Sequence, residues 1–362
     1  MTIAARPQVI VASTEFFAPG GVQYVSRQAV AALKQVADVQ AWALCDRAVP
    51  PGDPLAGVRF RFAAGRDWQM ARWATTAAMT NDEQSVLLLM HLNLTPIAVP
   101  WLARGRRVVV FLHGVEAWRR LSRPQQFVLS RADLLANSQY TADRFAELNP
   151  DLARQPVHIC ALGIEDAAPS TVDATSPQIA LTVSRLSAED RYKGHDRLIR
   201  LWPAIRAQAP GATLVIVGEG DDRQRLEALA RDVVEREAVQ FTGRVSEADL
   251  VRWYSRCAFF VLLSGREGFG LVFLEAMRAA KACVSVRGAQ DAIIEDGVTG
   301  LILDDDDQRA VAAIAQLFAD RQRRDELGAN GRRRFLAEFT AERFSERLRA
   351  HVVGAGTTDC VA

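Results

Sequence analysis

Short apolar runs alternate with segments of helical periodicity along most of the chain. In the first half the apolar runs have the length and residue types of buried strands, and helical segments separate several of them. The predicted strands of this half are Gln8–Ser13, Val39–Leu44, Arg59–Ala63, Val86–Met90, Val108–Leu112 and Leu134–Ala136, and its predicted helices include Val22–Leu33 and Tyr140–Leu148. This alternation is typical of a doubly wound sheet of parallel strands.

The same alternation begins again in the second half. Its predicted strands are Ile179–Val183, Leu214–Val217, Val239–Val245 (a strand with its loop), Ala258–Leu263 and Cys283–Val286, and its predicted helices include Asp196–Gln208, Leu271–Ala280, Arg309–Phe318, Arg321–Glu338 and Ala341–His351. Between Leu162-Gly163-Ile164 and Ser176-Pro177 the composition changes to Ala, Ser, Thr, Asp and Pro, which is typical of a linker. We therefore predict domains at residues 1–168 and 176–338, followed by a helical segment at 339–362.

Composition agrees with two domains. The 362 residues are too many for one ordinary core, and 49% hydrophobic with 24% charged residues is typical of a globular protein. A formal net charge of +1 gives no electrostatic argument for a nucleic-acid partner, and we expect none. We also expect no signal sequence and no membrane-spanning run. The cysteines form no CxxC pair, which predicts reduced core thiols in a cytoplasmic protein; they are Cys45, Cys160, Cys257, Cys283 and Cys360.

The stretch from Ser264 to Gly300 carries the strongest chemical signal. Glu267 and Glu275 stand eight residues apart, with a Gly-Phe-Gly turn between them, after a predicted strand and at the start of a predicted helix. A strand, a Gly-rich turn and a helix together present backbone N–H groups to an anion such as phosphate. Two carboxylates there suit neutral hydroxyls beside the phosphate, so the pattern predicts a nucleotide-sugar site. The structural alternative is a solvated helix start, where acidic residues are favoured in any case.

The run EGFGLVFLEAM resembles the E-x7-E signature of family 4 of the retaining glycosyltransferases, and further similarities extend from about residue 16 to about residue 300. The resemblance implies the GT-B fold, in which two Rossmann-like domains face each other across a cleft and a C-terminal helix, here at 339–362, crosses back to the first domain. It also implies a hexosyltransferase that moves a sugar from a nucleoside-diphosphate sugar to an acceptor hydroxyl, with retention at the anomeric carbon. Such enzymes act in bacterial polysaccharide, lipopolysaccharide and glycolipid synthesis.

By this resemblance, Glu275 holds the ribose hydroxyls of the donor and Glu267 holds the hydroxyls of its sugar. The turn and the helix start are expected to bind the donor through Gly268, Phe269, Gly270, Leu271 and Val272. Arg244, in a strand and loop similar to the family's nucleotide-base region, is a further expected binding residue.

Arg185 and Lys193 follow the first predicted strand of the second half. Two cations at that edge of a sheet suit a diphosphate, and the family places a similar Arg and Lys, in "GRL…KG", on the leaving diphosphate. The alternative is surface pairing with Glu189 and Asp190. The residues 188–192 lengthen the family's usual spacing, so the placement of Lys193 is open.

In the first half, Gly20 and Gly21 lie where the first strand meets the first helix, and His113 ends a buried strand. Open α/β sheets bind ligands at such positions. From the residues alone, a simple turn and a capped structural histidine are equally good interpretations. The family places a Gly-Gly loop against the donor diphosphate and acceptor, and a similar His beside the transferred sugar.

Two further motifs suggest cofactors. Gly218-Glu219-Gly220 resembles the start of a nicotinamide fingerprint, but Arg223 occupies the position of its third glycine. The acidic run at 304–307 suggests a metal site, although acidic residues before a helix more commonly cap it. We therefore predict no cofactor and no metal.

The partners are predicted only by class. They are a nucleotide-sugar donor, with UDP and GDP both open, and a saccharide or lipid-linked acceptor. The basic clusters at 104–107 and 118–120 are either solvated faces or a peripheral membrane contact at the inner face of the membrane. Residues 287–291 replace the family's Gly-Gly-Glu pattern, which leaves the sugar open. The rival functions are a nucleotide-sugar 2-epimerase of the same fold and a non-catalytic nucleotide-sugar-binding subunit.

Overall fold

A computed structural model describes residues 6–167, 178–235 and 237–354. The chain divides into two compact units, the first formed by residues 1–162 and 341–362 and the second by residues 163–340. The Ser176-Pro177 end of the predicted linker lies outside the described residues. Each unit contains one parallel β-sheet with helices, as the alternation of apolar runs and helical segments predicts.

The sheet of the first unit has seven strands, which are β1 (Gln8–Ser13), β2 (Asp38–Ala43), β3 (Arg59–Phe62), β4 (Val86–Leu89), β5 (Val108–Leu112), β6 (Asp133–Ala136) and β7 (Val157–Ile159). Their order is β3-β2-β1-β4-β5-β6-β7, and every pairing is parallel. The helices of this unit up to residue 162 are α1 (Gly21–Leu33), α2 (Asp67–Thr80), α3 (Val99–Leu102), α4 (Arg123–Leu129) and α5 (Gln139–Leu148), with 3-10 turns at Leu92–Ala98 and Pro150–Leu152.

The sheet of the second unit has six strands, which are β8 (Ile179–Val183), β9 (Thr213–Val217), β10 (Val239–Gly243), β11 (Phe259–Leu262), β12 (Cys283–Val286) and β13 (Gly300–Leu303). Their order is β10-β9-β8-β11-β12-β13, again parallel throughout. The helices are α6 (His195–Gln208), α7 (Arg223–Val233), α8 (Glu247–Arg256), α9 (Leu271–Arg278), α10 (Asp307–Ala319) and α11 (Arg321–Glu338), with 3-10 turns at Ala188–Lys193 and Ala289–Ala292.

Helix α12 (Ala341–Val352), the last of the described helices, belongs to the first unit. It packs on α1, where Arg349 donates to the carbonyl of Ala32 at 3.0 Å, and the ring of Phe344 lies 6.5 Å from that of Phe111. Arg107 donates to the carbonyl of Val352 at 2.6 Å. The first unit is therefore built from two separate stretches of sequence.

Both sheets have a switch point, where neighbouring strands are connected in opposite directions along the sheet. In the first unit it lies between β1 and β4, and in the second between β8 and β11. Loops leave the carboxyl ends of the two strands to opposite sides there, and open α/β sheets bind ligands in the crevice between such loops. The loops after these four strands are therefore the expected ligand-binding segments of the two sheets.

The prediction of core thiols is wrong for one cysteine. Cys160, Cys257 and Cys283 are buried and free, but Cys45 is exposed because it lies beyond the end of β2. Burial raises the pKa of the Cys160 and Cys257 thiols to about 12, which keeps them protonated. Cys360 lies outside the described residues.

Candidate functional site

The loops after β8 and β11 meet at the switch point of the second unit. The Nζ atom of Lys193 lies 3.1 Å from Oε2 of Glu267, and both side chains are largely buried. The backbone N–H of Gly265 donates to the carbonyl of Tyr192 at 3.0 Å, which joins the two loops a second time. The structure therefore brings together two residues that the sequence placed in separate motifs, 74 positions apart.

Gly194 makes this approach of the two loops possible. It has a φ of +77°, in the left-handed region, and a Cβ atom there would collide with the backbone carbonyl of Leu263. It also ends the 3-10 turn Ala188–Lys193 and begins α6. The extra residues that lengthen the family's spacing form this turn, and Lys193 still reaches Glu267.

Arg185 pairs with Asp190 across the same loop. Its Nε donates to Oδ2 of Asp190 at 2.8 Å, and the hydroxyl of Tyr192 donates to the other oxygen at 2.9 Å. The pairing raises the pKa of Arg185, while its side chain stays exposed. Asp190 is buried, and its carboxylate orients the Arg185 side chain. The alternative to diphosphate binding, pairing with a nearby carboxylate, is thus present for Asp190, which is buried, and it leaves the exposed guanidinium able to contact an anion.

Helix α9 begins at Gly270, which has a φ of +98° and no side chain with which to cap the helix. The first backbone N–H groups of a helix have no partner within it, so the start at Leu271 and Val272 is suited to an anion. Phe269 anchors the turn, because its ring is buried and lies 6.2 Å from the ring of Phe339. Gly268 lies in the same turn, next to Glu267.

Glu275 is held by a residue that the sequence analysis missed. The hydroxyl of Tyr254, on α8, donates to Oε2 of Glu275 at 2.7 Å and also lies 3.2 Å from the carbonyl of Val272. Burial raises the pKa of Glu275, and the Tyr254 hydrogen bond lowers it in part. Tyr254 is 1% exposed, and the hydroxyl of its side chain makes both of these contacts with α9.

The Gly218-Glu219-Gly220 segment has a structural explanation. A Cβ atom at Gly218 would collide with the carbonyl of Ser184, and one at Gly220 with the carbonyl of Leu186. The glycines therefore allow the loop after β9 to pack against the loop after β8. Arg244 follows β10 and is exposed, two strands away from the switch point.

In the first unit, Gly20 is the N-cap of α1 and Gly21 is the first residue of that helix, at the end of the loop that follows β1. The loop that leads to them is fixed by Asp46, whose carboxylate accepts from the backbone N–H of Phe16 at 2.6 Å. Burial raises the pKa of Asp46. Sequence reasoning missed Asp46, although its position just after β2 is a signal of the same kind as that of the glycines after β1.

His113 follows β5, and its ring is buried and stacked on Phe111 at 4.6 Å. Desolvation lowers its pKa to about 3; the neighbouring His91 adds to this effect, and a hydrogen bond to the backbone of Met90 opposes it. Its Nε2 atom has no hydrogen-bond partner among residues 6–167, 178–235 and 237–354. His113 is therefore a neutral imidazole with an unpartnered buried nitrogen, and its side chain does not cap a helix.

The backbone of His113 is fixed independently of its ring. Its N–H donates to Oε1 of Glu116 at 2.5 Å, and its carbonyl accepts from Nδ2 of Asn137 at 2.6 Å. Burial raises the pKa of Glu116, while hydrogen bonds from backbone N–H groups, including that of Gly114, lower it in part. These contacts position the imidazole at the end of β5.

His91 was also missed. It follows β4, the strand next to β5, and its Nδ1 accepts from the backbone N–H of Asn93 at 3.1 Å. Burial lowers its pKa, and the positive charge of Arg119 lowers it further. His91 directly follows the apolar run at 86–90, just as His113 directly follows the run at 108–112. A histidine at the end of a predicted strand was therefore a signal that the sequence contained.

The acidic run at 304–307 caps a helix, as predicted. The Asp306 carboxylate accepts from the backbone N–H groups of Gln308 and Arg309 at 2.9 and 3.0 Å. Within the part of the chain that the structure describes, no group of three or more His, Cys, Asp or Glu is placed to hold a metal ion.

In the basic cluster at 104–107, two arginines make contacts within the first unit. Arg107 donates to Asp133 at 2.7 Å, and the guanidinium of Arg106 lies 5.8 Å from the centre of the Trp101 ring. In the other cluster, Arg119 and Arg120 are exposed. None of the described helices is both long enough and apolar enough to pass through a membrane.

Residues 164–334 match the family model described as "Glycosyl transferases group 1". The chain is 28% identical, over 68% of its length and 70% of the relative, to a GDP-mannose-dependent monoacylated alpha-(1-6)-phosphatidylinositol monomannoside mannosyltransferase of Corynebacterium glutamicum. It is 33% identical to a GDP-mannose-dependent alpha-(1-6)-phosphatidylinositol monomannoside mannosyltransferase of Mycobacterium tuberculosis, over 46% of each chain, so the alignment spans less than half of that relative.

A solved structure of HepE from Anabaena in complex with UDP superposes with a TM-score of 0.76. The identity is 18%, and the superposition covers 95% of this chain and 99% of the other. Because the identity is low, this likeness concerns the fold, and the prediction of a GT-B fold is confirmed.

Proposed function

We propose, from the premise that this chain belongs to the group 1 glycosyl transferases, that it moves a sugar from a nucleoside-diphosphate sugar to an acceptor hydroxyl. The observation that carries the proposal is the contact between Lys193 and Glu267 at the switch point of the second sheet. It puts a cation suited to a diphosphate next to a carboxylate suited to sugar hydroxyls. A nucleotide sugar contains both groups, joined at the anomeric carbon.

The proposed chemistry is electrostatic stabilisation of the leaving group. As the bond between the anomeric carbon and the diphosphate breaks, negative charge grows on the phosphate oxygens. Lys193, the exposed guanidinium of Arg185 and the backbone N–H groups at the start of α9 supply positive charge to meet it. Because Asp190 and Glu267 already orient the two cations, little reorganisation is needed during the reaction.

We further propose retention at the anomeric carbon by a front-face displacement. The acceptor oxygen bonds to the anomeric carbon on the face from which the diphosphate departs, and the departing phosphate takes the acceptor's proton. Two contacts support this assignment. Glu267 is paired with Lys193, and Glu275 accepts from Tyr254. Both carboxylates of the E-x7-E stretch are therefore suited to binding the donor, and a front-face displacement needs neither of them as a nucleophile.

For the donor, we propose GDP-mannose as the first candidate, because the corynebacterial and mycobacterial relatives are named as GDP-mannose-dependent. UDP-glucose is the second, since HepE was solved in complex with UDP. For the acceptor, we propose a saccharide or glycolipid of the cell envelope, because both relatives act on a phosphatidylinositol mannoside. Peripheral membrane contact through the exposed Arg119 and Arg120 is part of this proposal, and the cytoplasmic location stays a prediction.

We propose that transfer needs no metal ion. Support comes from the capping role of Asp306, which accounts for the acidic run that had suggested a metal site. The positive charge that a metal would bring to the diphosphate is instead available from Arg185 and Lys193.

The test is calorimetric titration with GDP, UDP, GDP-mannose and UDP-glucose, with magnesium and with a chelator. We expect micromolar binding of one nucleotide family under both conditions, and at least tenfold weaker binding by Lys193→Met. Lys34→Met is the matched control, because Lys34 is exposed in the other unit. Binding of no nucleotide, or equal binding by both variants, would contradict the proposal.

Product analysis of the bound donor without an acceptor then separates the rival functions. Slow hydrolysis with retention of configuration supports a transferase, and a sugar inverted at C2 identifies a 2-epimerase. Binding with no turnover, even with a panel of mannosylated acceptors, identifies a non-catalytic subunit.

A further inference from the structure

One peptide group just after β11 is held from both sides. Its N–H, that of Gly265, donates to the carbonyl of Tyr192, in the loop after β8, at 3.0 Å. Its carbonyl, that of Ser264, accepts from Nε2 of Gln290, in the 3-10 turn after β12, at 2.9 Å. Because β11 lies between β8 and β12 in the sheet, these two bonds tie the loop after β11 to the loops on both sides of it.

The orientation of the Gln290 amide is fixed by its acceptors. Gln290 is fully buried, and its Nε2 lies 2.9 Å from the carbonyl oxygen of Ser264 and 2.6 Å from that of Val286. Nε2 is also 3.0 Å from the hydroxyl of Ser285, which itself donates to the carbonyl of Leu262. An amide oxygen in the place of Nε2 would face two carbonyl oxygens, so the N–H groups must point to the ends of β11 and β12.

The N–H groups account for the presence of a polar side chain at this position. Oε1 of Gln290 is buried and has no hydrogen-bond partner in the part of the chain that the structure describes. A buried acceptor without a partner costs free energy, so packing alone would favour an apolar side chain. Gly288 leaves room for the amide, since a Cβ there would lie 2.9 Å from Oε1.

The doubly held peptide group lies next to the ion pair of the candidate site. Glu267 is two residues after Gly265, and Lys193 directly follows Tyr192. Both members of the pair are therefore within two residues of the contact between the loops after β8 and β11. Gln290 holds that contact from the side of β12.

We propose that Gln290 is a positioning residue for Glu267, which it fixes through the hydrogen bond to the carbonyl of Ser264. The inference rests on the proposed function, in which Glu267 holds the hydroxyls of the donor sugar. Without the amide, the loop after β11 loses one of its two ties, and the carboxylate is less well placed before the donor binds. The segment 287–291, which departs from the family's pattern, thus affects sugar binding through the backbone of a neighbouring loop.

The test uses Gln290→Met, which keeps the length of the side chain and removes its N–H donors. Calorimetry measures the dissociation constants for GDP and GDP-mannose, or for UDP and UDP-glucose if the wild type prefers uridine. We expect about 5- to 20-fold weaker binding of the nucleotide sugar, and a change of less than about 3-fold for the nucleoside diphosphate. Gln308→Met, the same change at an exposed position of the second unit, should alter neither constant.

The same titration with Glu267→Gln separates positioning from a purely structural role. If Gln290 acts through the Glu267 carboxylate, adding Gln290→Met to Glu267→Gln should change nucleotide-sugar affinity by less than about 2-fold. A similar loss in both backgrounds overturns the inference. So does an equal loss for the nucleoside diphosphate and the nucleotide sugar, or equal nucleotide-sugar binding by wild type and Gln290→Met.

Each of these contrary results leaves the proposed function intact, because the wild type still binds a nucleotide sugar. If the wild type binds no nucleotide, the proposed function fails, and this inference fails with it. Should Gln290→Met not fold, Gln290→Asn replaces it with the same expected results. Its amide is one methylene shorter and does not reach both carbonyls.

Discussion

Lys193 and Glu267 form an ion pair with 3.1 Å between Nζ and Oε2, and 15% and 17% of their side chains are exposed. Both have a proposed contact with the donor, one with the diphosphate and the other with the sugar. Their pairing means that each positions the other before the donor binds. The diphosphate and sugar halves of the proposed site are therefore coupled.

The first prediction is that Lys193→Met and Glu267→Gln have effects on kcat/KM that do not add. Each single change leaves the other charge largely buried without its partner, and each is expected to reduce kcat/KM by about 100-fold. The double variant should be less than about 1,000-fold below wild type, rather than 10,000-fold. A double-mutant cycle on donor turnover measures the coupling, with Arg321→Met and Asp325→Asn, an exposed ion pair, as control. Strictly additive effects on kcat/KM would show that the contact between Lys193 and Glu267 does not contribute to donor turnover.

The second prediction concerns Tyr254→Phe. The change removes the hydroxyl that donates to Glu275 and keeps the ring, whose centre lies 5.8 Å from that of Phe260. Glu275 then loses its fixed orientation toward the ribose, so affinity for the nucleoside diphosphate should fall about 3- to 10-fold. Affinity for the 2′-deoxyribose analogue should change much less, because it lacks a hydroxyl that Glu275 is proposed to hold. An equal loss for both nucleotides would indicate a purely structural role.

The third prediction is a loss of stability on acidification. The pKa of His113 is lowered from 6.5 to about 3 and that of His195 to about 4, mainly by desolvation. As the pH falls below 6.5, the unfolded chain takes up these protons and the folded chain does not. The stabilisation that is present above pH 6.5 is therefore lost progressively toward the folded-state pKa values.

Each histidine should account for about 2 kcal/mol of the decrease in unfolding free energy between pH 7 and pH 5. Urea unfolding of wild type and His195→Asn at the two pH values isolates one contribution, because carboxyl groups such as Glu116 and Glu275 are common to both proteins. His158→Asn is the control, since that side chain is exposed. An identical pH dependence in wild type and His195→Asn would mean that His195 is protonated in the folded state.

The fourth prediction compares two glycines of the second unit's site. Gly194→Ala places a Cβ against the backbone of Leu263 at a φ of +77°, whereas a Cβ at Gly265 meets nothing within 4 Å. Gly194→Ala should reduce the unfolding free energy by about 2–4 kcal/mol and, by separating the two loops, also reduce kcat. Gly265→Ala should change the unfolding free energy by less than about 1 kcal/mol. Urea unfolding and donor turnover test both, and similar behaviour of the two variants would contradict the prediction.

The fold was predictable because several strands, among them β4, β5, β11 and β12, are fully buried and therefore nearly continuous apolar runs. β1, β5, β8 and β12 have the predicted first and last residues. β7 was not predicted, because Val157–Ile159 has three residues with a histidine in the middle, too short a run to stand out. Helix ends differ by one or two residues, as at α9, which ends at Arg278 and not Ala280.

The site was predictable only one motif at a time. The sequence indicated Lys193 and Glu267 separately, but their contact depends on β8 and β11 being neighbours in the sheet. Tyr254 was missed for the same reason, since its hydroxyl is functional only through the packing of α8 near α9. A local pattern indicates the type of group, whereas strand order and helix packing determine its partner.

Helix α12 belongs to the unit whose other helices and strands are synthesised before the second unit, although α12 itself is synthesised after the second unit. Until residue 352 has left the exit tunnel, α1 lacks the helix that covers it, and Arg349 cannot reach the carbonyl of Ala32. The second unit, residues 163–340, is continuous and is synthesised completely before that happens. Synthesis of the first unit therefore begins before that of the second unit but is completed after it. The first unit reaches its final packing only after all residues of the second unit have been made.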